Sequence, residues 1–256
     1  MTLIVIVAVL LLETFTPQLT HLRNHGRVEQ FAVKWRNIFD PQQTLNPWLV
    51  VVLTLLPIVF VAAVLLQSQP GVFGFLFQFA VTVAIVFWSL GPKRLSDYYF
   101  DLHQNTGESQ DNSLKLVAFA HYGFLAVLIW FVLLGPLAAL LYRVIAVLAA
   151  RASTADDSSH RHWETALHWA DWVPVRVSCF LLMLTGNFAS GFNVFNERAL
   201  SPDTDNRQLL LDTAQGAMNL NHLSEPPAYL SEARHSCERS IILLTVLVAL
   251  MSIFSW

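Results

Sequence analysis

The sequence predicts an all-α polytopic integral membrane protein with about five to six membrane helices, one of them a hairpin or only partly embedded. Three observations carry this. Apolar residues make up 55% of the 256-residue chain, charged residues only 13%, and mean hydropathy is +0.50, whereas soluble domains carry about 25% charged residues. Uncharged runs close to bilayer length recur along the chain. Between them the Lys and Arg residues collect in particular loops. The formal net charge of −3 leaves no bulk basic surface for nucleic acid. Two cysteines, Cys179 and Cys237, make no disulfide framework and read as inert thiols.

The whole of 1–256 reads as one membrane domain. The first expected span is 1–19. Met1–Leu12 is almost wholly apolar, and Thr14–Leu19 extends it to the ~20 residues a bilayer needs. It lacks a basic leader and a small-x-small cleavage site, so it reads as a retained helix and not a removed signal peptide. Glu13 reads as a helix-end charge at the interface, with a buried functional carboxylate as the alternative. After the polar segment 20–47 come spans at 48–66, with a kink expected at Pro57, and at 72–90, with Trp88 as interface anchor. The turn Gln67–Gly71 joins them. Segment 91–115 is polar again. The apolar stretch Leu116–Ala150 is too long for one straight span. Gly135-Pro136 divides it into 116–134 and 136–150, because proline is tolerated in the first turn of a new helix. A hairpin returning to the starting side is preferred over one long kinked helix. Segment 151–171 is polar, with a helix expected from about Ser158. Segment 172–190 is apolar and not necessarily a full crossing, 191–239 is a polar segment, and 240–256 is the last span. Within segment 191–239, Leu210, Ala214, Ala217 and Met218 recur at helical spacing and read as a packing stripe. Pro226-Pro227 is expected to start the final helix.

Orientation follows from charge. The segment at 21–47 holds four Lys/Arg and that at 91–115 holds three, while the turn between the intervening spans holds none. The basic loops are therefore expected in the cytoplasm and the N-terminus in the periplasm.

Residues that could carry chemistry concentrate in Gly135–Phe188. Arg143, beside Tyr142, stands in an apolar segment; it is either a functional or ion-paired buried cation, or it snorkels to the interface. In Asp171-Trp172-Val173-Pro174-Val175-Arg176, proline disfavours helical geometry at the residue before it. A helix break is expected there, with Asp171 as N-cap of a new helix and Pro174 in its first turn. Arg176, one turn in, opposes the helix dipole and calls for an anion: Asp171, Glu164, or a bound phosphate or carboxylate. Glu164, His168 and Asp171 share one helical face. With His160, His162, Asp156 and Asp157 they could be read as a Mg²⁺ site, but a polar face at the membrane surface is preferred and no metal ligand is assigned. The ligand-binding candidates are Arg143, Tyr142, Asp171, Arg176, His168 and Glu164. Arg143 and Arg176 are expected to face one anionic site near the cytoplasmic membrane surface. No catalytic residue is assigned.

DWVPVR at 171–176, FLAVLIWFVLLGPLAALLYR at 124–143, the apolar N-terminus ending in Glu13 and WSLGPKRL at 88–95 together resemble the AmpE family. These are inner-membrane proteins encoded with the AmpD amidase in Gram-negative bacteria. The resemblance implies a non-enzymatic accessory or sensor role linked to peptidoglycan recycling and β-lactamase induction. Candidate partners are the bilayer, the AmpD pathway or muropeptides, and a second copy of the chain. AmpE in turn resembles the CobD/CbiB adenosylcobinamide-phosphate synthases. Gly135, Pro136, Tyr142, Arg143, Pro174 and Arg176 fall where those enzymes have Gly, Pro, Tyr, Arg or Lys, Pro and Arg. That resemblance implies ATP and Mg²⁺, and a membrane ligase or transferase acting on an amphiphilic substrate as the alternative function; a muropeptide-transport accessory is a second alternative. The departures argue against the ancestral reaction. Apolar Val144–Leu148 stands where the enzymes have Asn-Thr-Leu-Asp, and Leu167-His168 where they have Asp-Asp. The phosphate donors are kept, but most of the carboxylates that would hold a metal are missing.

Overall fold

A computed structural model describes residues 1–23, 25–40, 45–67, 71–105, 109–152, 160–199, 201, 204–220 and 228–254. The described residues form helices and no strand. In chain order these are α1 (Thr2–Phe15), a 3-10 helix (Pro17–Arg23), α2 (Gly26–Phe39), α3 (Pro47–Leu65), α4 (Gly71–Ser89), α5 (Leu95–Asn105), α6 (Gln110–Ala120), a π-helical segment (His121–Leu125), α7 (Ala126–Leu134), α8 (Pro136–Ala152), α9 (His160–Thr185), α10 (Phe188–Arg198), α11 (Asn206–Ala217) and α12 (Ala228–Phe254). Among the described residues, four helical runs are long and apolar enough to cross a membrane: Pro47–Leu65, Gly71–Ser89, Gln110–Leu134 and Tyr229–Ile253. A bent pair, Thr2–Phe15 with Gln18–Phe39, would make a fifth.

The chain divides into two compact units. The first is Thr2–Pro92 with Trp130–Ala170, and the second is Lys93–Ile129 with Asp171–Trp256 and Met1. In the first, α8 packs on α2, α3 and α4, and α1 packs on α4. Ala32, Val51, Ala62, Leu140, Val144, Leu148 and Trp163 meet there in one apolar cluster. The outward faces of α3 and α4 stay apolar, with Leu56, Phe60, Phe73 and Phe77 exposed. Such a belt is stable against lipid and not against water.

In the second unit, α6 packs on α5, α11 and α12. Of an 18-residue apolar stretch within Gln110–Leu134, 72% is buried, against 28% of the corresponding stretch of Tyr229–Ile253. The former is therefore a core helix, while the latter keeps a free apolar face. The stripe expected on α11 is packing: Leu210, Ala214, Ala217 and Met218 are all buried. Cys179 and Cys237 are free and buried.

Several boundaries match the punctuation in the sequence. Gly135 takes φ +85°, a conformation that only glycine adopts without strain, and Pro136 opens α8 behind it. The last helix begins at Ala228; the expected Pro226-Pro227 start lies outside the described residues, as do Asp156, Asp157 and Ser158. The polar segment 20–47 is not only loop, since it holds most of the 3-10 helix and α2. The apolar run 172–190 does not stay one helix. Gly186 and Asn187 interrupt it, because a Cβ on Gly186 would stand 2.5 Å from the Ala217 carbonyl oxygen, and Asn187 N donates to that oxygen at 2.7 Å.

The expected helix break at Asp171 does not occur. α9 runs unbroken from His160 to Thr185 with Pro174 inside it. Proline at 174 cannot donate to the carbonyl four residues back, that of Ala170. The Trp130 indole N–H donates to that carbonyl at 2.9 Å instead. α3 repeats the device. Pro57 lies inside the helix and orphans the Leu53 carbonyl, which accepts from the Trp35 indole N–H at 3.0 Å.

Candidate functional site

The second unit holds a buried polar network. His121 is fully buried on the Gln110–Leu134 run, the central helix of this unit, at the first residue of the π-helical segment. Its Nε2 lies 2.9 Å from Asp171 Oδ1 and its Nδ1 lies 2.9 Å from Ser178 Oγ. A carboxylate only accepts, so Nε2 is the donor toward Asp171, and Nδ1 shares the second hydrogen bond with the Ser178 hydroxyl, which can donate or accept. Asp171 and Ser178 are seven residues apart on α9, two turns on one face, which is why one imidazole reaches both. The Tyr122 phenol is a further hydrogen-bonding partner of Asp171. Asp171 is 2% exposed and Ser178 0%.

The local backbone explains how His121 is placed. Ala126 N donates to the His121 carbonyl, an i to i+5 bond. The added residue of a π turn shifts the side-chain register on its two flanks, and such turns recur at functional sites. An ionisable side chain at the centre of an apolar span is expensive and by default functional.

Ser, His and Asp in a row invite comparison with a nucleophilic triad. The chemistry does not follow, because a triad serine must meet a substrate carbonyl beside oxyanion donors. Here serine, imidazole and carboxylate are all closed off by packing. The arrangement instead joins α9 to the Gln110–Leu134 run through buried hydrogen bonds.

The residues expected from sequence fall in different places. Asp171 joins the network above and is not an N-cap, so no free backbone N–H groups follow it to cradle an anion. Arg176 was expected to need an anion, but neutral acceptors serve it. It donates to the carbonyls of Ala199 at 2.6 Å and Trp172 at 2.7 Å and to Asn206 Oδ1 at 3.0 Å, and it stacks on the Trp172 ring at 3.9 Å. It thereby ties α9 to the segment between α10 and α11.

Tyr142, Arg143, Glu164 and His168 belong to the first unit. Tyr142 and Arg143 are buried, so Arg143 does not snorkel. Its Nε donates to the Ser89 carbonyl at the end of α4. His25 Nε2 donates to the neighbouring Trp88 carbonyl at 3.1 Å, and Arg23 Nη1 to the Gly91 carbonyl at 3.3 Å. Three donor side chains, two of them arginines, thus cover the C-terminal end of α4, where helix carbonyls lack partners and the dipole is negative. Arg23 also pairs with Glu13, so the carboxylate ending α1 is a partly buried ion-pair partner. Glu164 is exposed, and the His168 ring packs edge-on to Trp169. Among the described residues no three His, Cys, Asp or Glu side chains gather as metal ligands.

Sequence reasoning missed His121 and Ser178. The available signal was a single histidine within the otherwise uncharged 116–134 run.

A family of known description covers residues 102–256 of this membrane protein, and so takes in the whole His121–Asp171–Ser178 network: "Regulatory signalling modulator protein AmpE". The chain belongs to the AmpE family. Comparison with curated proteins and with solved structures finds no match. For an AmpE chain a regulatory accessory role is the supported function. The matched stretch also includes Arg143, Tyr142, Glu164, His168 and Arg176.

Proposed function

We propose that this AmpE-family chain is a non-enzymatic accessory or sensor protein of the bacterial inner membrane, with its N-terminus in the periplasm, linked to peptidoglycan recycling and β-lactamase induction. The observation that carries the reading is the buried His121–Asp171–Ser178 network. It is polar, titratable and closed to bulky substrates, which suits a two-state signalling element better than a catalytic centre. A ligand or partner that prefers one packing of α9 against the central helix would shift the population between states. Intermediates of the AmpD amidase pathway or muropeptides are the effectors this reading takes.

The test is made in the source bacterium. Disrupting the coding sequence should change the ratio of β-lactamase activity with and without a sub-inhibitory β-lactam inducer. The wild-type chain should restore the ratio. His121→Asn, which cannot serve both Asp171 and Ser178 as imidazole does, should fail to restore it when expressed to equal abundance in the membrane. Induction unaltered by the disruption overturns the reading.

A further inference from the structure

The first unit contains a groove of about 620 Å³ between α2, α3, α4 and α8. Phe31 of α2, Val61 of α3, Ile85 of α4, and Leu140 and Val144 of α8 line it, and the lining is apolar except for Arg27 and the Trp88 indole. Its size falls in the ~300–1,000 Å³ range of small-molecule sites. The helices α3 and α4 that wall it are long and apolar enough to cross a bilayer. The fourth wall is different. α2 carries Arg27, Lys34 and Arg36 beside Phe31, Trp35 and Ile38, the composition of a helix lying at the membrane surface. Arg27 is exposed, and among the described residues no hydrogen bond or ion pair engages it.

We propose that this groove binds an anionic phospholipid, with one acyl chain between α3, α4 and α8 and the phosphate on Arg27. Apolar walls take the chain by the same burial that drives any hydrocarbon from water. A guanidinium at the mouth takes the phosphate through two parallel N–H donors. Basic side chains between membrane helices are the recurring headgroup anchor for such lipids. The same unit supplies a contrast. A groove of about 650 Å³ between α1 and α4, lined by Leu11, Phe15, Phe79 and Val83 among others, has no charged residue on its wall. It offers a place for a chain but none for a headgroup, so it does not choose between lipids.

The test is native mass spectrometry of the full chain, delipidated in detergent and titrated with phosphatidylglycerol or with phosphatidylethanolamine of the same acyl composition. Phosphatidylglycerol should bind about fivefold more tightly, the fold-change that corresponds to about 1 kcal/mol for one basic side chain at the surface. Arg27→Gln should remove that preference by weakening phosphatidylglycerol more than phosphatidylethanolamine, whose ammonium already offsets its phosphate. Val61→Trp, at an exposed position on the groove wall, should occupy the groove and weaken both lipids. Soluble glycerol 3-phosphate should not displace the lipid. Equal affinity for the two lipids, a preference that survives Arg27→Gln, full binding by Val61→Trp, or displacement by glycerol 3-phosphate would each overturn the assignment.

Discussion

An ionised carboxylate inside an apolar bundle is destabilising unless it is paired and hydrogen-bonded. Asp171 meets that demand with the His121 imidazole and the Tyr122 phenol. Arg143 meets the corresponding demand in the first unit with carbonyl oxygen at the end of α4. For Arg143 that carbonyl belongs to Ser89, the last residue of α4. Removing one member of a buried pair leaves the other uncompensated. His121→Leu should therefore destabilise the protein by about 3–5 kcal/mol. Adding Asp171→Leu to it should recover much of that loss, because no buried charge is then left alone. Unfolding by heat or SDS in mixed micelles measures both. A single-variant loss below about 1 kcal/mol, the size of an ordinary neutral hydrogen bond, would show that Asp171 does not depend on the imidazole.

At the scale of elements, the two helix-internal prolines teach the same lesson. Proline in a helix interior is destabilising by about 3 kcal/mol, in part because the carbonyl four residues back loses its donor. In α9 and α3 that carbonyl takes an indole N–H from another helix: Trp130 for Ala170 and Trp35 for Leu53. The helix break expected at Asp171 failed because the freed carbonyl has a tertiary partner. Trp130→Phe keeps the ring and loses the N–H, and should destabilise by about 1–3 kcal/mol. In a Pro174→Ala background residue 174 can donate to Ala170 itself, so the same Trp130→Phe change should have almost no effect. The coupling is read from four unfolding midpoints in a double-mutant cycle. An effect of Trp130→Phe that is the same in both backgrounds would refute this account of the unbroken helix.

For the whole molecule, the predicted orientation follows from basic residues before α3 and after α4, with none in the turn at 67–71. Reporter fusions at Gln110 should be active in the cytoplasm, and fusions in the turn at 67–71 should be active in the periplasm; the reverse pattern would invert the topology. The class of the protein was legible without coordinates. Apolar run length and scarce charge dictate membrane helices because the bilayer leaves backbone polar groups no other partner. Gly135-Pro136 marked a boundary because its constraints act within two residues. The roles of Asp171, Arg143 and Arg176 were not legible, though each was singled out by its cost in an apolar setting. Their partners lie far away in sequence: His121 is 50 residues from Asp171, and Ser89 is 54 from Arg143. Arg176 likewise reaches Asn206, 30 residues on. Sequence alone shows that a buried polar group must be satisfied. Only the tertiary structure decides which group satisfies it, because the choice among carbonyl, imidazole, indole and ligand depends on which helices are brought within about 3 Å of hydrogen-bonding distance.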